Sequence, residues 1–137
     1  MRRGSPEPDQ VAAIPVRRTD RTVEVCLIRR HGSRRWGVPK GFIDGDDTPE
    51  QAALTEAREE AGLIGRIDSQ AVGSYEYSKL GDRLLVEVYL MQVLEELPVW
   101  DEMDVRERHW TTLAEAGRLL ERHPIRALWN AICSHAK

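Results

Sequence analysis

Three glutamates, Glu56, Glu59 and Glu60, stand at spacings i, i+3 and i+4 in the segment GFIDGDDTPEQAALTEAREEAGL, Gly41 to Leu63. On a helix they project from one side within about one turn. Like charges at that spacing weaken a helix by on the order of a few tenths of a kcal/mol per pair. A divalent cation turns the repulsion into a binding site, because carboxylate oxygens are the ligands that a hard ion such as Mg²⁺ takes. The chemistry implied is metal-assisted work on phosphate. Taken alone, such a charge run is an ordinary solvated helix face. The glycine loop at a fixed distance upstream sets this one apart.

The flanking residues supply a helix to carry the acids. Thr48 before Pro49 fits an N-cap with proline at the first helical position. Gln51, three residues after Thr48, completes a capping box. Ala52, Ala53, Leu54, Ala57 and Ala61 favour helix, with Leu54, Ala57 and Ala61 on the side expected to face a core. Gly62 fits the C-cap.

The segment resembles the signature of the Nudix hydrolases: a glycine, five residues, Glu, seven residues, then R-E-U-x-E-E-x-G-U, with U aliphatic. Gly41, Glu56, Glu59, Glu60, Gly62 and Leu63 match it, and Ala57 fills the first U position. Two positions depart: Asp47 stands where the pattern has Glu, and Thr55 where it has Arg. The resemblance implies that in the family those two side chains pair and orient the metal-binding glutamates. Here Asp47 and Thr55 could hydrogen-bond instead, or Arg58 could substitute. The segment Trp36 to Phe42 (WGVPKGF) is similar to the approach seen in bacterial proteins of the diphosphoinositol polyphosphate phosphohydrolase-like branch. So are Ala13 to Arg17, Gly73 to Lys79, and Trp100-Asp101-Glu102 followed by Arg106, Arg108 and Trp110. The fold implied is the Nudix α/β/α sandwich, a mixed β-sheet between helices. A backbone carbonyl at or just before Gly41 is implied to face the metal.

Composition agrees with one enzyme domain. The 137 residues are 41% hydrophobic and 31% charged, ordinary for a globular protein. No apolar run approaches the roughly 20 residues of a membrane span. Residues 1–10 (MRRGSPEPDQ) are expected to be a flexible tail without a signal-peptide core, and 11–137 a single domain. Cys26 and Cys133 are the only cysteines. Cys26 lies in an apolar run and is expected as a buried thiol, so a cytoplasmic protein is expected.

The net charge of −3 conceals an asymmetry. Residues 1–40 carry ten Lys/Arg against four Asp/Glu, whereas residues 41–70 carry two against eight. An anionic substrate meeting the basic half and a metal meeting the acidic half accounts for both. Arg34, Arg35, Lys40 and Gly41 are therefore the substrate-binding candidates. Nucleic acid is not expected as a partner, because a net acidic chain without a long basic stripe lacks that footprint. The four histidines show no zinc-like spacing. There is no phosphate-binding Gly-x-x-x-x-Gly-Lys motif and no Ser or Cys nucleophile signature.

Strands are expected at Val11–Arg17 (with Pro15 at an edge or bulge), Val23–Arg30, near Ile67, around Val72–Tyr77, at Leu84–Leu94 as a central strand, and at Glu107–Thr111. Helices are expected over Leu113–Arg122, capped by Thr112, and over Ile125–His135. Mixed strands flanked by helices indicate an α/β or α+β fold. Hydrolysis of a phosphoanhydride requires charge neutralisation and an in-line water. Glu56, Glu59 and Glu60 are the catalytic and metal-binding candidates. Glu102 is the favoured further metal ligand, with Glu76 behind it, and the cofactor is Mg²⁺ or alternatively Mn²⁺. The expected substrate is a small polyphosphate: a nucleoside-diphosphate-linked compound, a dinucleoside polyphosphate or a diphosphoinositol polyphosphate. The alternatives are a catalytically weak nucleotide-binding sensor and a pyrophosphatase that clears oxidised nucleotides.

Overall fold

The computed structural model describes residues 7–137. Strand β1 (Gln10–Arg18) is apolar through its middle because both of its faces are covered. Ala12, Ile14 and Val16 enter one core, while Val11 and Ala13 enter another. Then come β2 (Val23–Arg30), β3 (Lys40–Phe42), helix α1 (Pro49–Ala61), β4 (Leu63–Arg66), β5 (Gly73–Lys79), β6 (Asp82–Glu96) and β7 (Arg106–Thr112). Helix α2 (Leu113–Leu119), a 3₁₀ segment (Pro124–Leu128) and α3 (Trp129–Ala136) complete the chain.

The seven strands form one sheet in the order β4-β6-β1-β2-β7, with β3 added to β1 and β5 to β6. β1 and β6 run parallel. The other pairings are antiparallel, so the sheet is mixed. One face packs Leu27, Val86 and Val88 against Leu120, Ile125, Trp129 and Ile132 of the C-terminal helices. The other packs Cys26, Leu63 and Met91 against Ala52, Ala53, Ala57 and Ala61 of α1. This is the expected α/β/α sandwich. The alanine face lets α1 lie close to the sheet, and that closeness brings its glutamates to β3.

The helix signals act as the sequence predicts. The Thr48 hydroxyl accepts from the Gln51 amide and the Gln51 side chain accepts from the Thr48 amide. Gly62 ends α1 in the left-handed region, φ 66°. Four local expectations need correction. Pro15 lies in a central strand, not at an edge or bulge. It is tolerated because on that side of β1 the ladder to β3 covers Gln10–Ala12 and the ladder to β2 covers Val16–Arg18, leaving Pro15 between them. Gln10, expected in the tail, opens β1 and is 3% exposed. The remainder of that expected tail includes residues 1–6, which lie outside the described residues. The fourth strand begins at Leu63 directly after the helix cap, not near Ile67. The last expected helix opens as a 3₁₀ segment, where Pro124 follows His123, whose Nδ1 accepts the Ile125 amide.

Gly62 tests how tightly α1 is terminated. A Cβ there would lie 2.8 Å from the Arg108 guanidinium and from Trp100. Gly62→Ala is expected to lower unfolding free energy in urea by about 1–3 kcal/mol. A variant as stable as wild type would mean that this end of the helix is free to relax.

Candidate active site

Helix α1 presents Glu56, Glu59 and Glu60 toward β3 and the β6–β7 loop. Glu60 is 8% exposed. Its Oε1 accepts the Lys40 amide at 3.1 Å and its Oε2 lies 3.6 Å from Arg106 Nη2. Arg106 also donates through Nε to Glu102 Oε1 at 2.7 Å. The carboxyl of Glu56 rests on the backbone of Gly41, where an added Cβ would stand 2.3–2.6 Å from it. Only a glycine lets that carboxyl sit there undisplaced. Glu59 contributes charge to the group, and its backbone oxygen accepts the Glu102 amide at 3.1 Å.

The end of α1 is clamped by the loop that carries Glu102. Trp100 Nε1 donates to Glu60 O at 3.1 Å, and Arg108 Nη1 to Ala61 O at 2.8 Å. Arg108 Nη2 reaches Leu97 O at 2.6 Å, and its guanidinium lies 4.0 Å over the Trp100 ring. These contacts satisfy carbonyls that a helix leaves open at its C-terminus.

Crowding sets the electrostatics. Burial, then the charges of Glu60 and Glu59, a side-chain hydrogen bond with Glu60 and the charge of Glu102 push the Glu56 carboxyl up to about 8. Burial also raises Glu60, against the lowering effects of Arg106 and the Lys40 amide. Among the described residues, no three His, Cys, Asp or Glu side chains converge as a ready-formed ion cage. Glu60 and Glu102 meet through Arg106, while the charges of Glu60 and Glu59 disfavour the ionised form of the half-buried Glu56. The donor set nevertheless fits a hard divalent cation. It is all carboxylate oxygen, burial and mutual repulsion hold a proton that an ion can replace, and Gly41 leaves room for the Glu56 carboxyl against its backbone.

The structure divides the sequence candidates. Glu56, Glu59, Glu60, Glu102, Gly41 and the Lys40 amide come together. Lys40 Nζ turns to Tyr77 Oη at 2.8 Å and Gln10 Oε1 at 3.3 Å, neutral partners that leave its charge uncompensated. Arg34 and Arg35 lie elsewhere, in a cleft against α2. Glu76 pairs with Arg83 on the β5–β6 hairpin, away from the trio. Asp47 and Thr55 are exposed, and among the described residues they make no side-chain hydrogen bond, nor does Arg58 make an ion pair. The expected substitute contacts do not form; Arg106 from β7 is the cation that holds Glu60. Sequence reasoning missed the roles of Arg106, Trp100 and Arg108, although it singled out their pattern. It also missed Gln10, which no spacing marks.

Comparison with known proteins bears on the family and the fold. A family model described as the NUDIX domain matches residues 6–129. "Nudix hydrolase 4" of Arabidopsis thaliana is 28% identical over 117 residues, covering 81% of this chain and 56% of that protein. "Diphosphoinositol polyphosphate phosphohydrolase 3-beta" of Bos taurus is 34% identical over 117 residues, covering 80% and 68%. The chain thus spans little more than half the length of the first of these relatives. A solved C. elegans Ap4A hydrolase binary complex superposes with a TM-score of 0.78 at 18% identity, covering 94% of this chain and 97% of that one. The MutT protein from Methanosarcina mazei Go1 does so with a TM-score of 0.68 at 19% identity, covering 93% and 94%. At these identities the solved structures speak for the fold.

Two outcomes test the site's electrostatics. With Glu56 raised to about 8, the folded metal-free protein holds a proton that the unfolded chain releases near 4.5. Its contribution to stability is therefore present at low pH and lost as pH rises toward 8. Melting in EDTA should show Tm falling from pH 5.5 to 8, with Mg²⁺ restoring it at pH 8 and Glu56→Gln flattening the fall. A wild-type slope unchanged in Glu56→Gln would show that Glu56 does not hold the proton. Separately, Arg106→Gln leaves buried Glu60 without its cation, and should destabilise the metal-free protein by about 1.5–3 kcal/mol in urea unfolding. A change within error would mean that the ion pair is not formed in solution.

Proposed function

The chain belongs to the Nudix family, and on that premise we propose that it is a divalent-metal-dependent hydrolase that cleaves a phosphoanhydride bond in a small polyphosphate. The carrying observation is the group of Glu56, Glu59, Glu60 and Glu102 near the end of α1, with the Glu56 carboxyl seated against Gly41. Water-exposed glutamates would need no such gathering. Their charges oppose one another where they stand, and a divalent cation would draw them together.

In this reading the four carboxylates hold Mg²⁺ or Mn²⁺. The bound ion supplies charge neutralisation of the phosphates and activation of water. Lys40, whose ammonium has only neutral partners among the described residues, binds a phosphate beside the scissile bond. One carboxylate of the α1 trio accepts the proton of the attacking water. Arg106 keeps Glu60 and Glu102 turned toward each other. Because Arg106 supplies a cation beside Glu60, the exposed Asp47 and Thr55 are no ground for reading the chain as a catalytically weak sensor. The substrate class proposed is polyphosphorylated, a dinucleoside polyphosphate or a diphosphoinositol polyphosphate, ahead of an oxidised nucleotide. Support comes from the basic residues on the other side of the Trp36–Gly41 segment. A cytoplasmic location is proposed with it, and one domain over residues 11–137. Cys26 and Cys133 are both free thiols. Among the described residues no helix is long and apolar enough to cross a membrane.

The test is Mg²⁺-dependent product release from a panel of diadenosine polyphosphates, diphosphoinositol polyphosphates, nucleotide sugars, ADP-ribose and oxidised nucleoside triphosphates. Wild type should turn over one class, and Glu60→Gln should lose at least about 100-fold in kcat, as expected when a group stabilising transition-state charge is removed. Binding of metal and panel compounds without turnover of any of them would instead support the sensor.

A further inference from the structure

We propose that Arg118 and Arg122 of the α2 region join Arg34 and Arg35 in a phosphate-binding subsite for the non-reacting, multiply phosphorylated end of the substrate. The inference rests on the hydrolase reading above and names what that reading leaves open: which part of the chain recognises the rest of the substrate.

The subsite is a cleft of about 510 Å³ between the β2–β3 loop and α2. Its lining includes four arginines and one acid, Glu121. Among the described residues, Arg34, Arg35 and Arg122 take part in no ion pair. Arg118 makes an exposed, bidentate pair with Glu115, with which an incoming phosphate competes for the guanidinium. Guanidiniums gathered around one concavity repel each other unless an anion sits among them, and their planar forks match phosphate oxygens.

The floor adds a neutral donor. His123 Nδ1 accepts the Ile125 amide, so the ring proton resides on Nε2. Burial, then the charge of Lys40, holds this imidazole down to about 4, so it stays neutral in the physiological range. Nε2 lies beside Gly37, 3.6 Å from where a Cβ would stand, and makes no hydrogen bond among the described residues. A side chain at position 37 would narrow the floor.

Nucleobase recognition is disfavoured in this cleft. Trp36 is the aromatic side chain on the lining, apart from the imidazole, and it already carries the Arg29 guanidinium at 4.3 Å and the His109 ring at 5.4 Å. Placement favours two-ended binding. Gly37 lies next to His123 of the cleft, and the Lys40 amide bonds Glu60 in the carboxylate site. The two are three positions apart, at most about 11 Å of chain. A substrate can therefore reach across this short segment, with its reacting phosphate at the carboxylates and its other phosphates among the arginines.

Calorimetric binding of inorganic tripolyphosphate in EDTA tests the subsite with the metal site silent. Wild type should bind. Arg118→Ala/Arg122→Ala should bind about tenfold more weakly or worse. Arg21→Ala/Arg66→Ala removes the same net charge elsewhere on the surface and should change binding by no more than about twofold at 0.15 M salt. Arg34→Ala/Arg35→Ala, in an exposed loop, repeats the test if the α2 variant folds poorly. The cleft variants should also raise KM about tenfold for the polyphosphorylated substrate that wild type turns over, with little change in kcat. Absent binding by wild type, or equal weakening in cleft and control variants, overturns the subsite. The hydrolase reading fails on different grounds, if the wild type turns over no member of the panel.

Discussion

The C-terminal end of α1 is an unfavourable place for three carboxylates, and the rest of the site follows from how the fold makes it habitable. A helix concentrates about half a negative charge at that end and leaves its last carbonyls without partners. Here Glu59 O, Glu60 O and Ala61 O take the Glu102 amide, the Trp100 indole and the Arg108 guanidinium. Those donors all come from the β6–β7 loop or from β7. The segment that satisfies the helix backbone also carries Glu102 and Arg106, so capping and assembly of the site are a single event. Gly62 makes it possible by turning the chain sharply enough for Trp100 and Arg108 to close over it.

The clamp does not remove the repulsion; it fixes where the repulsion acts. Arg106 offsets part of the charge on Glu60 and Glu102. The remainder is carried by a proton on Glu56, raised to about 8 mainly by burial and by its acidic neighbours. Proton and arginine thus occupy the part that a divalent cation plays in the proposed reaction. Loading such a site exchanges a proton for a metal, which couples affinity to pH. The small residues beneath it have the same logic. Alanines on the buried face of α1 set the helix close to the sheet, and Gly41 lets Glu56 lie against the backbone of β3.

What the sequence makes legible is what depends on neighbours in the chain. The Thr48–Gln51 capping box, Pro49, the Gly62 cap and the spacing of the glutamates are local, and each stands in the structure as read. The alternation of Val11, Ala12, Ala13 and Ile14 was legible as a strand, but not as one covered on both faces, because that depends on β6 lying parallel beside it. Pro15 misleads for the same reason. Its position looks like an edge until two different strands are found to share one side of β1. Arg106 could be noticed only as part of a pattern, since its partner Glu60 is distant in sequence. Thr55 pointed attention to Arg58, the nearest arginine, whereas the cation came from another element. Gln10 lay in a segment whose composition resembles a tail, and it is buried because β3 and the Lys40–Tyr77 contact cover it.

The charge asymmetry of the chain acquires a structural meaning at Lys40. Arg34 and Arg35 before it line the cleft against α2, whereas Glu56 and Glu60 after it meet Gly41 and the Lys40 amide. Lys40 belongs to both sides: its amide bonds Glu60, while its ammonium lies 4.4 Å from the Tyr77 ring centroid and helps depress His123. A lysine paired with one of the glutamates would cancel the charge that the site concentrates. Tyr77 and Gln10 prevent this by offering neutral oxygens in another direction. Separation of positive and negative groups across a few residues is costly for a protein with nothing bound. It is the arrangement expected when the proposed ligand is itself divided, polyanionic along its length and joined at one end to a cation.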